Sequence, residues 1–154
     1  MADRIGVMIK KLIVGFVASG LLAVVAAGQT ASNPQTVNGL QATVTGVERA
    51  EKSALRDCPP GTNTVNAVQR PGDQLAVVTV SFKVMPDFKP TMMKRPTVTA
   101  TDDKVYNTSV QFVDVGSVPE YSCAFTFRVP QGTKLKALQI ETASFDLSPF
   151  ESKN

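Results

Sequence analysis

Hydrophobic and polar residues alternate along several stretches of the chain, with the period expected of half-buried β-strands. Residues 40–45, LQATVT, place apolar side chains on one face and polar side chains on the other. Gly46 follows directly and marks either the end of this strand or a bulge. Residues 121–129, YSCAFTFRV, and 135–142, LKALQIET, repeat the alternation on either side of a Pro-Gln-Gly-Thr turn. Residues 74–84, QLAVVTVSFKV, are apolar on much of both faces, which predicts a strand in the middle of a sheet.

The chain after its first 28 residues shows no sustained helical period with helix caps. About six to eight strand segments, separated by Gly and Pro turns, predict an all-β fold of the antiparallel β-sandwich type. The predicted sandwich covers residues 39–148, with a flexible polar lead-in at 29–38 and a C-terminal tail at 149–154. Two long connections, at 48–72 and 85–96, lack a period. Because loops on such a scaffold carry recognition, these connections are the candidate contact regions.

The N-terminal segment has the layout of a secretory signal peptide. Three basic residues and one acidic residue precede residues 12–25, LIVGFVASGLLAVV, which carry no charge. Small residues follow, so cleavage is predicted after Ala27 or Gly28, and residues 1–28 are assigned to a signal-peptide helix. An uncleaved membrane anchor is the alternative, but the apolar run is shorter than the roughly 20 residues of a membrane span. We therefore expect a secreted or periplasmic product without a stable membrane anchor.

Charge does not point to a nucleic-acid partner. The whole chain carries 16 Lys and Arg residues against 13 Asp and Glu residues, a formal net charge of +3. The predicted signal peptide holds three of the basic residues and one of the acidic residues, which leaves a mature chain of net charge about +1. So small an excess is not the electrostatic footprint of a nucleic-acid-binding surface.

The composition excludes many catalytic chemistries. The chain contains no histidine and no tryptophan, and it has two cysteines. Without histidine there is no Ser-His-Asp triad, no Cys-His pair and no His-ligated zinc or type 1 copper site. Two cysteines are too few for a four-cysteine zinc site or an iron–sulfur cluster within one chain. No S-x-x-K motif is present for a Ser-Lys nucleophile, so we expect a protein that is not an enzyme and has no cofactor.

The two cysteines, Cys58 and Cys123, are predicted to form one structural disulfide. Exported proteins meet an oxidising compartment, where a free thiol is a liability. Such a bond would tie the 48–72 connection to the sheet. A redox-active pair is disfavoured because catalytic thiols are usually close in sequence, as in Cys-x-x-Cys. Unpaired or intermolecular thiols are the remaining alternative.

Several short motifs resemble those of immunoglobulin-like domains. Tyr121 stands two residues before Cys123, which resembles the tyrosine corner and inter-sheet cysteine of immunoglobulin domains. The chain lacks the tryptophan of that pattern, and Cys58 lies in a Pro-rich segment. Four further pieces carry a closer resemblance: Gly39-Leu40, Gly72-Asp73-Gln74-Leu75-Ala76-Val77-Val78, Asp103-Lys104-Val105-Tyr106 and Phe127-Arg128-Val129-Pro130-Gln131-Gly132.

These pieces are similar to the immunoglobulin-like extracellular domains of bacterial secreted proteins and lipoproteins, relatives of the mycobacterial immunoprotective extracellular protein. The resemblance spans residues 37–147 and implies an immunoglobulin-like sandwich and an exported location, but no activity. Two departures are the missing lipid-anchor cysteine and Met85-Pro86, which replaces a polar residue after the long strand.

The predicted function is that of an exported, non-catalytic binding module. Its partner is expected to be a protein or a cell-surface component, and its oligomeric state is left open. The candidate partner-contact residues are Phe88, Met92 and Met93, which would form an apolar patch within the 85–96 connection.

Three alternatives to a protein-binding patch remain. Met85, Met92 and Met93 are thioethers that could hold Cu(I) in an envelope metal-handling protein. A structural subunit of a surface assembly is a further possibility. Four acidic residues could in principle supply calcium ligands, although an Asp-Asp pair before Lys104 is the pattern of a simple turn. These are Asp87, Asp102, Asp103 and Asp114.

Overall fold

The computed structural model of the protein describes residues 31–51, 58, 62–64, 69–89, 93–112 and 118–151. The predicted signal peptide and its cleavage points lie outside these residues. Within the described part of the chain, no helix is long and apolar enough to span a membrane.

Strands form where Val, Thr, Phe and Tyr concentrate, because β-branched and aromatic side chains pack well on a pleated surface. The described residues contain ten strands and one short helix. In chain order these are β1 (Gln35–Val37), β2 (Leu40–Ala50), β3 (Asn63–Thr64), β4 (Asp73–Val84), β5 (Thr97–Ala100), β6 (Val105–Asn107), β7 (Val110–Phe112), β8 (Glu120–Pro130), β9 (Leu135–Ile140), β10 (Ala143–Asp146) and α1 (Ser148–Glu151).

The strands form two four-stranded sheets and one two-stranded ladder, and all of these pairings are antiparallel. The first sheet has the order β1-β2-β4-β8 and the second has the order β10-β9-β5-β6, while β3 pairs with β7. The predicted antiparallel β-sandwich is therefore confirmed. Six of the strands have four residues or more, within the predicted number, and four strands of two or three residues add to them.

Seven of the described strands follow an immunoglobulin-like order. These seven are the strands that remain when β1 and the β3–β7 ladder are left aside. Counted in chain order, the first, second and fifth of them (β2, β4 and β8) lie in one sheet. The third, sixth and seventh strands (β5, β9, β10) share the other. Immunoglobulin domains divide strands A, B and E from strands C, F and G in the same way. The fourth strand, β6, pairs with β5, whereas constant-type domains place their fourth strand in the opposite sheet.

The hydrophobic core lies between the two sheets. β4 lies between β2 and β8, and its residues 75–78 are all buried, so both of its faces are covered, as predicted for a central strand. The register of β2 against β4 shifts between Val44 and Gly46, so Gly46 marks a bulge and not the strand end. The largest fully buried side chains come from both sheets and from Leu147, which follows β10. Those from the sheets are Phe82, Phe125, Phe127, Phe145, Leu75, Leu135 and Leu138.

The prediction of a flexible lead-in at 29–38 is wrong for residues 35–37. These residues form β1, which pairs with β2 through a two-residue turn. Asn38 and Gly39 make that turn with φ values of 50° and 73°. Asn-Gly is the residue pair that best adopts two successive positive φ values, so the turn and the strand form together.

The prediction of a C-terminal tail at 149–154 is also wrong for its first residues. Phe150 is buried, and Glu151 forms an ion pair with Arg49 at 2.7 Å. Helix α1 therefore packs on the sandwich, with Phe150 as part of the hydrophobic core cluster.

The predicted disulfide between Cys58 and Cys123 is present. Cys123 lies on β8, in the same sheet as β2 and β4, so the bond ties the connection after β2 back to its own sheet. The resemblance to the inter-sheet cysteines of immunoglobulin domains is not reproduced at this point. Tyr121 on the same strand stacks on Phe82, with ring centroids 5.0 Å apart.

Candidate functional site

The two ends of the sandwich carry different connections. We call one end the loop end: it consists of the 38–39 turn, the 85–96 connection between β4 and β5, and the 141–142 turn. The opposite end, called the far end, consists of the turns at 101–104 and 131–134 together with the nearby α1. Two of the three predicted contact residues, Phe88 and Met93, belong to the loop end.

Hydrogen bonds hold the 85–96 connection against the turns at both of its sides. The Met85 amide donates to the Gly39 carbonyl at 2.8 Å, and the Phe88 amide donates to the Met85 carbonyl at 3.0 Å. On the other side, the Lys94 amide donates to the carboxylate of Glu141. The connection is thus attached to both sheets, because Gly39 precedes β2 and Glu141 follows β9.

An apolar pocket lies between the two sheets beneath this connection. The first sheet contributes residues of β1, β2 and β4, and the second contributes residues of β9 and β10. Phe88 and Met93 of the connection also line the pocket, and its free space is about 20 Å³, room for about one water molecule. The lining residues are Val37, Asn38, Leu40, Ala42, Phe82, Phe88, Met93, Ile140, Glu141 and Ala143.

Two of the predicted contact residues lie at this pocket. Phe88 and Met93 are half-buried and pack against the hydrophobic core, so each exposes part of its side chain. Met92 lies outside the described residues. A contact between these side chains and a partner remains a prediction.

The structure describes two of the three methionines proposed as alternative copper ligands. Met85 begins the 85–96 connection and is half-buried, whereas Met93 lines the apolar pocket. Met92, the third thioether, falls outside the described residues, and a Cu(I) site remains a prediction.

The 85–96 connection also carries three cations. Lys89, Lys94 and Arg95 are exposed, and none of them takes part in an ion pair among the described residues. Asp87 is the exposed carboxylate of the described part of the connection. The connection therefore carries an excess of positive charge, whereas the charged residue that lines the pocket itself is Glu141.

The acidic residues considered for calcium are not brought together. Asp87 lies at the loop end, whereas Asp102 and Asp103 lie in a turn at the far end, as the sequence pattern indicated. Asp114 lies outside the described residues. Within the described ranges, no group of three acidic or cysteine side chains is placed to hold a metal ion.

The far end pairs its charges instead. Lys104 contacts Asp102 at 2.9 Å, and Lys136 contacts Asp103 at 2.8 Å. The hydrogen bond between the first pair lowers the pKa of the Asp102 carboxyl and raises the pKa of Lys104. The hydrogen bond to Asp103 likewise raises the pKa of Lys136. Pairs as exposed as these contribute little to stability.

The pocket also contains residues that the sequence did not single out. Val37, Ile140 and Ala143 come from three separate strands and reach the pocket only because the sheets stack. Alternation along residues 135–142 predicts the burial of Ile140, but no local signal places the three residues beneath the 85–96 connection.

Gly39 allows the connection to approach the first sheet, and substitution by alanine is expected to lower the free energy of unfolding by about 2 kcal/mol. A Cβ at this position would lie 2.5 Å from the backbone nitrogen and Cα of Phe88, and φ is +73°. Gly132→Ala is the matched control, because its φ is +80° and its Cβ meets nothing within 4 Å. The control measures the conformational cost alone, about 1 kcal/mol. Equal losses in urea denaturation would show that the close approach to Phe88 has no energetic role.

Comparisons with known proteins add little. No protein-family model matches the chain, and a search of curated proteins finds no match. Among solved structures, the chain is similar to an uncharacterized β-sandwich protein from Clostridium difficile 630. The superposition has a TM-score of 0.47 and 6% sequence identity, and it covers 75% of this chain and 89% of that chain. The resemblance to relatives of the mycobacterial immunoprotective extracellular protein remains a prediction.

Proposed function

We propose that the protein is an exported, non-catalytic binding module that recognises a component of the cell envelope through its loop end. One observation carries the proposal: two half-buried apolar side chains, Phe88 and Met93, lie on a connection that also exposes three cations. An apolar centre with a polar rim is the usual composition of a recognition surface.

Two features support export. The Cys58–Cys123 disulfide fits an oxidising compartment, since cytosolic proteins keep their thiols reduced. The apolar segment at residues 12–25, preceded by basic residues, has the layout of a signal peptide.

The composition supports binding without catalysis. General acid–base chemistry most often uses histidine, which the chain lacks. The exposed charges of the 85–96 connection are three cations and Asp87, which suit the recognition of a negatively charged or mixed surface.

The proposal predicts that charge reversal at the loop end weakens envelope binding. The variant Lys89→Glu/Lys94→Glu changes two exposed side chains at the loop end, so the melting temperature is expected to stay unchanged. We expect its apparent Kd for washed envelopes of the producing cells, measured by co-sedimentation, to rise by about tenfold.

The matched control is Arg70→Glu/Lys134→Glu. These two cations are also exposed and unpaired among the described residues, and they lie at the far end. The control changes the net charge by the same amount, so it should retain wild-type binding. If both variants lose the same envelope affinity, the effect comes from the change in net charge and not from the loop end. If the wild type shows no saturable binding, an envelope partner is rejected.

A further inference from the structure

The two sheets of the sandwich meet differently along their two sides. On one side, Thr108 after β6 forms a bridge with Phe127 of β8, and the Ser109 amide donates to the Thr126 carbonyl at 2.8 Å. On the other side, β1 ends the first sheet and β10 ends the second, and these two described strands share no pairing. An edge strand without a partner presents backbone groups to which another chain can pair.

A groove of about 380 Å³ lies between these two edges. This volume falls within the range of roughly 300–1,000 Å³ that is found for ligand sites. A hydrogen bond from the Gln35 side-chain amide to the Ser144 carbonyl joins the two walls of the groove. One wall consists of Ser32, Asn33 and Gln35, the other of Ser144 and Asp146 on β10, and the core residues Phe145 and Phe150 also line the groove.

Strand β10 turns part of its backbone toward the groove. In an antiparallel ladder, pairs that exchange hydrogen bonds alternate with pairs that do not. The Leu147 amide donates to the Lys136 carbonyl at 2.9 Å, so the backbone groups of Ser144 and Asp146, at the alternate positions, point away from β9. The bond that Gln35 donates to the Ser144 carbonyl agrees with this direction. The amides of Ser144 and Asp146 have no acceptor among the described residues.

The charge of the groove is negative. Asp146 is the charged residue among those that line it, and this residue takes part in no ion pair within the described part of the chain. Its carboxylate accepts the Ser148 amide at 2.9 Å, and hydrogen bonding from Ser148 lowers the pKa of Asp146. The carboxylate is therefore ionised at neutral pH. Glu151, at the end of α1, is already paired with Arg49.

We infer that this groove binds an extended basic peptide segment of a partner protein, which pairs through its backbone with the open edge of β10. In this mode of recognition, backbone hydrogen bonds supply affinity and alternate side chains supply specificity. A Lys or Arg side chain of the peptide would lie beside Asp146. The groove lies on the side of the sandwich, so the inference goes beyond the proposed function of the loop end and does not depend on it.

Charge complementarity favours a basic partner over a second copy of this chain. Two copies that pair β10 against β10 would bring two Asp146 carboxylates together without adding a cation from either groove. Like charges on adjacent strands are destabilising. A basic peptide supplies the missing cation.

Selection from a phage-displayed library of random heptapeptides on the immobilised protein tests the site. We expect the wild type to enrich peptides that contain Lys or Arg, and Ser144→Pro to enrich none of them. Proline removes an amide that faces the groove and is not used in the ladder with β9, a position that edge strands tolerate. Thermal denaturation checks that this variant is folded.

A charge variant tests the role of Asp146 with one enriched peptide. Asp146→Asn removes the charge and keeps an oxygen to accept the Ser148 amide, so the fold should be unchanged. We expect its Kd, measured by fluorescence anisotropy, to rise about three- to fivefold, the effect of one exposed ion pair. Asp87→Asn is the matched control, because this carboxylate is also exposed and lies outside the groove. Its Kd should equal that of the wild type.

Methylation of single backbone nitrogens of the same peptide tests strand pairing without changing the protein. Amides that face β10 alternate with amides that face away. Methylation at every second position should therefore weaken binding at least tenfold, and the positions between should tolerate it, since a methyl group removes the donor and blocks close approach. Equal effects at all positions would contradict strand pairing.

Other outcomes reject the site. If the wild type enriches no peptide over folded Ser144→Pro, or if acidic peptides are enriched as strongly as basic ones, the inference fails. A wild-type dimer in analytical ultracentrifugation that Ser144→Pro dissociates would assign the groove to a second copy instead. Peptide binding by a chain that ends at Glu151, but not by the full chain, would assign it to residues 152–154.

Discussion

Replacing Cys58 and Cys123 with alanine is expected to lower the free energy of unfolding by about 4 kcal/mol. The bond joins residues 65 positions apart, and in the chain-entropy account a loop of this size restricts the unfolded chain by that amount. The change corresponds to a fall in melting temperature of about 15 °C for a domain of this size. Urea and thermal denaturation of the double variant against the oxidised wild type measure both quantities.

Reduction of the wild type provides the control. Dithiothreitol should bring the wild type to the stability of the alanine variant and should have no effect on the variant itself. Cys123 is fully buried, so a stability loss in the variant beyond that of the reduced wild type would report the cavity left by the missing sulfur. An unchanged melting temperature after full reduction would contradict the disulfide's role in stability.

Most of the fold follows from local patterns. β4 is apolar on both faces because it lies between two strands and is covered on each side, and that pattern is visible in residues 74–84 alone. The turn at 131–134 joins β8 to β9, as the Pro-Gln-Gly-Thr sequence of residues 130–133 indicates. In each case the cause and the signal lie within the same short segment.

The sequence contains a turn signal for the N-terminal strand β1, but the composition of the segment before that turn favours a loop. Asn38-Gly39 is a strong indicator of a two-residue hairpin turn. The preceding segment is short and polar and contains Pro34, which favours a loop on composition. The turn geometry decides the outcome, because it brings residues 35–37 into register with β2.

The candidate site could be predicted only in part. The 85–96 connection and its residues Phe88 and Met93 stand out as an apolar group in a loop. Their burial does not, because it depends on Ile140 and Ala143, which the other sheet brings to the pocket from about fifty residues away. Alternation predicts which face of a strand is buried, but it does not predict which loop covers it.

Substitution of Arg49 by alanine is expected to lower the free energy of unfolding by about 3 kcal/mol. The guanidinium of Arg49 donates to both carboxylate oxygens of Glu151, at 2.7 and 3.0 Å, and to the carbonyl of Thr133 at 2.8 Å. The Glu151 carboxylate also accepts the amide of Leu135 at 3.0 Å. These bonds join β2 of the first sheet to the start of β9 in the second and to α1.

The large effect arises from what the substitution leaves behind. The side chain of Glu151 is only 10% exposed, so without Arg49 it becomes a nearly buried charge that retains the Leu135 amide as its partner. No local pattern reveals this ion pair, since its members are 102 residues apart and Glu151 falls in the predicted tail.

Lys136→Ala is the matched control because it removes an ion pair of similar length whose members are 57% and 75% exposed. Exposed pairs contribute less than about 1 kcal/mol, so the control should remain close to the wild type in urea denaturation. Arg49→Met/Glu151→Met removes both charges, and because no unpaired charge remains, it should recover much of the stability lost in Arg49→Ala. If Arg49→Ala loses no more than Lys136→Ala, the ion pair does not hold α1 on the sandwich. If the double substitution is less stable than Arg49→Ala, the loss comes from removed hydrogen bonds and not from a stranded carboxylate.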